Sequence, residues 1–291
     1  MISIIITSFK EEKTIGRAIG SFLSQIDSQE KIEVIITAPD DKTLKAASRY
    51  GKRVTLLRDG GKGKPSALNL AIRRAKGEIL ILSDGDVYVS HNAIKELVKE
   101  FKDKQVGGVS ARVVSANSKD KMFGYWAHLS TQGFHNLRIR QSRAGKNIDC
   151  SGYCYAVRKK LLSRIPADIL ADDAYISRLI NHKGYRTVYQ PLAQVYVKYP
   201  VNLRDWIKQK KRTTAKFYQL NKYFKVSKTR SLGGEVLSGL NTIFMTHSLR
   251  EIAWFVFLAM MRAYIWFRVF FDYRLWKRDF KNTWQRVEST K

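Results

Sequence analysis

Four isoleucines and one serine fill positions Ile2 to Ile6, and then the period changes: Ile15, Ala18, Ile19, Phe22 and Ile26 recur three and four residues apart. A short apolar run followed by a 3.6-residue repeat predicts a buried strand and then an amphipathic helix. The alternation continues. Val34 to Thr37 predicts a strand, Leu44 to Tyr50 a helix, Val54 to Leu57 a strand, Pro65 to Ala75 a helix with proline in its first turn, and Ile79 to Leu82 a fourth strand. Strands and helices alternating at this spacing imply an α/β architecture, with a mostly parallel sheet covered on both faces by helices. Sheets of that kind bind ligands outside the carboxyl ends of their strands.

Further along, residues 106–114 predict another strand and 119–142 a helical stretch carrying Trp126, His128 and His135. Residues 149–158 and 185–197 read as strands on either side of a short acidic helix from Asp172 to His182. From Leu203 the pattern becomes basic and helical, ending in the apolar block Ile252 to Phe271. With no internal repeat and no low-complexity linker, the expected division is a 1–200 α/β domain followed by a 201–291 basic, aromatic-rich helical region.

Charge sharpens the second part. Across 291 residues, 53 Lys and Arg face 25 Asp and Glu, a formal net of +28, which implies a polyanionic neighbour: nucleic acid, an anionic membrane surface or a phosphorylated substrate. Residues 201–291 hold 19 basic against 6 acidic side chains and carry Trp254, Trp266, Trp276 and Trp284. That mixture suits an interface between water and lipid better than a nucleic-acid groove. Ile252 to Phe271 has the length of a spanning helix, yet Arg262 at its centre costs about 2.5–3.5 kcal/mol on an insertion scale. Basic residues on both flanks suit helices lying in the cytoplasmic interface better than a single span. Trp276, Phe280, Trp284 and Val287, with Lys277, Arg278 and Lys281 between them, repeat as such a helix would. The start of the chain has no basic region ahead of its apolar run, so the expectation is the cytoplasmic face of the cell membrane, attached peripherally. Cys150 and Cys154 lack a second pair for zinc or a disulfide framework and read as buried thiols. The five histidines form no metal-ligand spacing.

Three stretches carry candidate chemistry. Ser83-Asp84-Gly85-Asp86 ends the fourth strand, and two carboxylates on a tight turn can face one hard divalent cation; a solvated Asp-Gly turn has the same sequence. The loop from Gly60 to Asn69 offers backbone N–H groups, Lys62 and Lys64, and a helix N-terminus at Pro65: an anion cradle, or a Gly-rich surface turn. It is not a Walker loop. Asp172 and Asp173 open a helix, where acidic residues ordinarily serve the helix dipole; two adjacent carboxylates can also raise one pKa and make a base.

Taken in order, Ser3 to Glu12, Ala38-Pro39-Asp40-Asp41, Gly63 to Asn69, Ser83 to Asp86, Asp149 to Ala156, and Asp172-Asp173 followed by Gly184-Tyr185-Arg186 resemble the family 2 glycosyltransferases with the GT-A, Rossmann-like fold. The resemblance covers roughly residues 1–200 and continues into Trp206 to Thr213.

The resemblance implies a nucleotide-sugar site at Thr7, Phe9, Glu11, Asp40 or Asp41, Lys64, Asn69, Asp84, Asp172, Gln209 and Arg212. It implies a Mn2+ or Mg2+ site with Asp86 as direct ligand and Asp84 as ligand or nearer the ribose. Asp173 corresponds to the catalytic base of an inverting transfer. The chain departs from the family at Thr7-Ser8-Phe9-Lys10-Glu11, at Pro39-Asp40-Asp41-Lys42, and at Thr213, where the Q-x-x-R-W motif has tryptophan. That last change favours transfer of one sugar at a time over a processive polysaccharide synthase. The implied partners are a nucleotide-sugar donor, UDP- or GDP-linked, a membrane-associated acceptor such as a polyprenyl phosphate or lipid-linked glycan, and an anionic membrane surface, with no nucleic acid. A sugar-phosphate nucleotidyltransferase needs a Gly-rich opening that Thr7-Ser8-Phe9-Lys10 does not supply, and a nucleic-acid-binding protein is poorly served by Ile252 to Phe271.

Overall fold

A computed structural model describes residues 1–26, 31–220, 223–224, 243, 246–276 and 287–290. Among these the chain runs β1 (Ile2–Thr7), α1 (Ile15–Leu23), β2 (Ile32–Ala38), α2 (Asp41–Ser48), β3 (Thr55–Arg58), α3 (Lys64–Arg74), β4 (Ile79–Asp84), β5 (Val87–Val89) and α4 (Ala93–Lys99). It continues through β6 (Val106–Ser115), α5 (Met122–Arg143), β7 (Cys154–Arg158), α6 (Asp172–His182), β8 (Arg186–Val197), α7 (Leu203–Leu220) and α8 (Leu249–Phe270).

The residues form two compact units, one of Met1–Val114 with Arg138–Val197 and one of Ser115–Leu137 with Lys198–Thr290. The second therefore takes in a segment, 115–137, that is remote in sequence from its main part.

The first unit is built on a sheet of order β3-β2-β1-β4-β7-β6-β8-β5. Strands β3, β2, β1 and β4 are mutually parallel, whereas β7 is antiparallel to β4 and to β6, and β5 is antiparallel to β8. The expected α/β class is present, with a mixed sheet: strand periodicity reveals which face is buried but not which way a strand runs. Ile4, Ile5, Ile6, Ile35, Leu80 and Ile81 are buried in the strands, and Ile15, Ala18, Ile19 and Phe22 of α1 are fully buried at the predicted helical spacing. Each large apolar side chain so removed from water contributes about 1.5–3 kcal/mol. Because the chain winds from β1 outward to β3 and then returns to place β4 on the other side of β1, the carboxyl ends of β1 and β4 flank a switch point. Register brings Thr7 opposite both Thr37 and Asp84 there.

One expected strand is shorter than its pattern. Residues 149–158 read as a strand throughout, but β7 begins at Cys154. The backbone N–H groups of Cys150, Ser151 and Gly152 donate to Ser177 Oγ, Ser110 Oγ and Asp173 Oδ2, at 2.8, 3.0 and 2.9 Å, instead of to a neighbouring strand. The short elements β5 and α4 lie outside the expected set.

The second unit gathers Tyr125, Trp126 and Leu129 of α5, Trp206 and Ala215 of α7, and Ile265 and Val269 of α8 into an apolar core. Trp126 is its centre: its ring lies 5.1 Å from Trp206 and 5.4 Å from Phe257, and its indole N–H donates to the Trp254 carbonyl at 2.8 Å. Lys211 and the buried Asp272 pair at 3.1 Å. The expected repeat through Phe280 and Trp284 lies outside the described residues.

Candidate active site

Parallel strands deliver their carboxyl ends to one edge, and the candidate residues of the first unit collect there. Asp84 closes β4, and the N–H of the next residue, Gly85, donates to the Thr7 carbonyl at 3.0 Å, locking the acidic turn onto the end of β1. Gly85 has no room for a side chain, because a Cβ would strike Ser8 Oγ and Glu11 Oε2. Ser8 Oγ in turn donates to Glu11 Oε2 at 2.7 Å, and the Glu11 N–H donates to Thr43 Oγ1 at 2.9 Å. Thr7, Ser8 and Glu11 are all buried.

Lys64, the first residue of α3, reaches across this edge. Its ammonium lies 2.6 Å from Asp84 Oδ1 and 3.5 Å from Asp172 Oδ2, and donates to the Gly152 carbonyl at 3.3 Å. Burial works to lower its pKa, but Asp172, Asp84 and Asp173 overcome burial and hold it raised, so the lysine stays charged. Burial raises Asp84 to about 6, with Asp86 and Asp172 adding to the rise and Lys64 opposing it. Asp172 also accepts the Tyr155 hydroxyl at 3.3 Å; burial first, and then the carboxylates of Asp172 and Asp173, push that phenol well above its ordinary range, so it remains a donor.

Asp173 is held from two sides. The Gly152 N–H donates to Oδ2 at 2.9 Å and the Ala174 N–H to Oδ1 at 2.8 Å, while Ser177 Oγ donates to the Asp173 carbonyl at 2.7 Å. The segment that interrupts the expected strand is thus the one that orients this carboxylate.

The two aspartates after β2 do different work. Asp40 caps α2, accepting from Thr43 N–H at 3.0 Å and Thr43 Oγ1 at 2.7 Å, and accepts the Lys10 N–H at 2.8 Å, where Lys10 takes a left-handed φ of 53°. Asp41 is exposed and paired with Arg58. Phe9 is exposed, with Lys10 Nζ 5.4 Å from its ring centroid. Asn69 is used structurally: its side chain donates to the Ile165 carbonyl at 2.8 Å and accepts the Ile165 N–H at 3.0 Å. Gln209 and Arg212 lie on α7 in the second unit, Gln209 buried and its Oε1 without a hydrogen-bond partner among the described residues.

No cluster of three or more His, Cys, Asp or Glu side chains suited to a metal occurs among the described residues. Asp84 and Asp86 nevertheless fit a hard divalent cation, since Mg2+ characteristically takes one or two carboxylates and completes its shell with phosphate oxygens and water. Cys150 and Cys154 are free and buried, and burial pushes both thiols up to about 12, as expected of inert packing groups.

Residues 3–165 match the model of glycosyl transferase family 2, more than half of the chain. The chain belongs to that family. An N-acetylglucosaminyltransferase of Rhizobium meliloti (strain 1021) is 23% identical over 236 residues, covering 72% of this chain and 54% of that protein. A hyaluronan synthase of Streptococcus pyogenes is 27% identical over 174 residues, 54% of this chain and 40% of the synthase. The chain thus spans about half the length of these relatives. Among solved structures, the mannosyltransferase PcManGT from Pyrobaculum calidifontis, in complex with GDP-Man and Mn2+, superposes with a TM-score of 0.70 at 21% identity, over 95% of this chain and 88% of that one. GalNAc-T7 with UDP, GalNAc and Mn2+ gives 0.52 at 17% identity, over 68% and 43%. These two likenesses establish a shared fold.

Sequence reasoning about this family 2 chain passed over Asp59. Buried just after β3, it accepts Thr37 Oγ1 at 2.8 Å and the Gly61 N–H at 2.9 Å, tying the Gly-rich loop that leads into Lys64 to the end of β2. Its signal was its place immediately before Gly60-Gly61, where an aspartate accepts the N–H two residues on. Ser110 and Ser177 carried no signal, because their partners lie 41 and 27 residues away.

Proposed function

We propose that the chain transfers one sugar at a time from a nucleotide-sugar donor, UDP- or GDP-linked, to a membrane-associated acceptor, a polyprenyl phosphate or lipid-linked glycan, with inversion at the anomeric carbon. It works at the cytoplasmic face of the cell membrane, attached peripherally. The observation that carries the reading is the convergence of Asp84, Lys64, Asp172 and Asp173 at the carboxyl ends of the parallel strands, in a family 2 chain.

Thr7, Phe9, Glu11 and Asp41 border the nucleotide, with Asp40 holding the Lys10 turn in shape. Lys64 faces the diphosphate as a charged donor. Asp84 and Asp86 hold Mn2+ or Mg2+, which when bound neutralises charge on the departing diphosphate as a Lewis acid. Asp173 takes the proton of the acceptor hydroxyl as the acceptor oxygen bonds to the anomeric carbon; the bond from that carbon to the phosphate oxygen breaks and its electron pair leaves with the diphosphate. A single displacement inverts the centre. Where the acceptor is a phosphate, already ionised near neutral pH, Asp173 orients it without taking a proton. Thr213 in place of the motif's tryptophan supports single transfers over chain growth.

The test is release of nucleoside diphosphate from a panel of UDP-, GDP- and dTDP-sugars with Mn2+ or Mg2+ and membrane lipids, beside Asp86→Ala. Metal-dependent release from one donor, lost in Asp86→Ala, is the expected result. Absence of release from every donor overturns the reading.

A further inference from the structure

We infer that the outer face of α8 is the surface on which the chain sits on an anionic lipid bilayer, with the helix lying in the membrane plane instead of crossing it. The inference rests on the membrane partner proposed above and says which surface makes that contact and in what orientation.

Exposure along α8 is periodic. Leu249, Ile252, Val256, Met260, Tyr264 and Phe267 are 85, 43, 50, 58, 48 and 64% exposed. Steps of three and four residues put them on one side of the helix. At about 100° and 1.5 Å per residue they fill an arc of roughly 120° along roughly 27 Å. No charged residue falls inside that arc. Arg250 and Arg268 border it on one side, about 40° beyond Tyr264, and Arg262 falls outside it, toward the inward side. The helix's one acidic residue, Glu251, is engaged at the N-terminus, where Oε2 accepts the His247 N–H at 2.7 Å and its own N–H donates to Ser248 Oγ at 3.2 Å.

The opposite side is committed to protein. Ile265 and Val269 are fully buried with Trp126 and Trp206, and the Trp126 indole holds the Trp254 carbonyl. Although α8 and the turn that follows are long and apolar enough to cross a bilayer, the inward face packs on α7, which carries Lys208, Lys210, Lys211 and Arg212. Crossing would draw those cations into hydrocarbon or strip α8 from its core, and either is costly. Lying flat costs neither: the apolar arc enters the acyl boundary while the bordering arginines keep their stems on it and their guanidinium groups among the headgroups.

Charge selects the occupant. A second copy covering the arc would bring arginine-bordered faces together on chains that each carry +28, whereas anionic headgroups neutralise them.

The experiment uses the full chain without any sugar donor, so its outcome is independent of transferase activity. Single substitutions Ile252→Cys, Val256→Cys, Met260→Cys and Phe267→Cys are spin-labelled, the native thiols being buried, and label depth is measured on vesicles of phosphatidylcholine with and without phosphatidylglycerol. The expected result is one shallow depth at all four positions, about 5–10 Å, only with the anionic lipid, and about tenfold weaker vesicle binding for Val256→Asp/Phe267→Asp. Depth rising to a maximum at the middle positions means a span and overturns the proposal. So does equal binding to neutral vesicles, or labels buried without lipid in a concentration-dependent dimer.

Discussion

Lys64 Nζ and Asp84 Oδ1 lie 2.6 Å apart, joining the first turn of α3 to the acidic turn after β4, and the same ammonium lies 3.5 Å from Asp172. One cation therefore balances carboxylates from two distant parts of the sequence. Removing it leaves Asp84 and Asp172 facing each other with reduced solvation. Lys64→Met is expected to lose about 2 kcal/mol of stability in urea unfolding, less than for a fully buried pair because a quarter of each side chain at the Lys64–Asp84 contact stays open to water. It should also weaken donor binding about tenfold or more. Lys64→Met with unchanged stability would mean the ammonium is not the balancing charge.

Asp59 acts through the loop. With Thr37 Oγ1 and the Gly61 N–H as partners, it positions residues 60–63 and through them Lys64. Asp59→Ala should raise KM for the donor about tenfold, with kcat within about threefold, because the chemistry is untouched while the loop loses its anchor. Asp59→Asn keeps an acceptor for Gly61 and should recover most of the loss. Equal falls in kcat for both variants would contradict a positioning role.

Asp40 and Asp41 separate by stability. Asp40→Ala removes the cap of α2 and the acceptor for Lys10, costing about 1 kcal/mol. Asp41→Ala should stay within about 0.5 kcal/mol, its side chain being 84% exposed. Burial raises the Asp40 pKa, but the hydrogen bonds from Lys10 and Thr43 outweigh it and leave the carboxyl lowered. Its stabilisation is therefore complete above about pH 4, the unfolded value, and declines as pH falls through the lowered folded value. Unfolding of the wild type and Asp40→Ala across that range should show the gap closing at acid pH.

Most of the first unit was legible because buried strands and amphipathic helices write their period into the sequence: Ile15, Ala18, Ile19 and Phe22 are buried as spaced. The acidic turn was legible from its place at a strand end. What was not legible depends on partners far away in sequence. The expected strand takes in residues 149–153, yet the N–H groups of Cys150, Ser151 and Gly152 serve Ser177, Ser110 and Asp173. Asn69 clamps Ile165, a partner 96 residues further on. Trp126, met in sequence as one aromatic on a helical stretch, proves to be the centre of the second unit's core, because its partners Trp206 and Trp254 follow much later.

Asp173, fixed by the N–H groups of Gly152 and Ala174, has in the proposed reaction a role toward the acceptor and not toward the donor. The most direct measurement is Asp173→Asn, which keeps a similar shape and removes the base, read both as donor affinity and as sugar transfer to an acceptor bearing a hydroxyl. Donor Kd should change less than about threefold while transfer falls about 10²–10⁴-fold. Transfer within a few-fold of wild type, or loss of donor binding in step with activity, would contradict it.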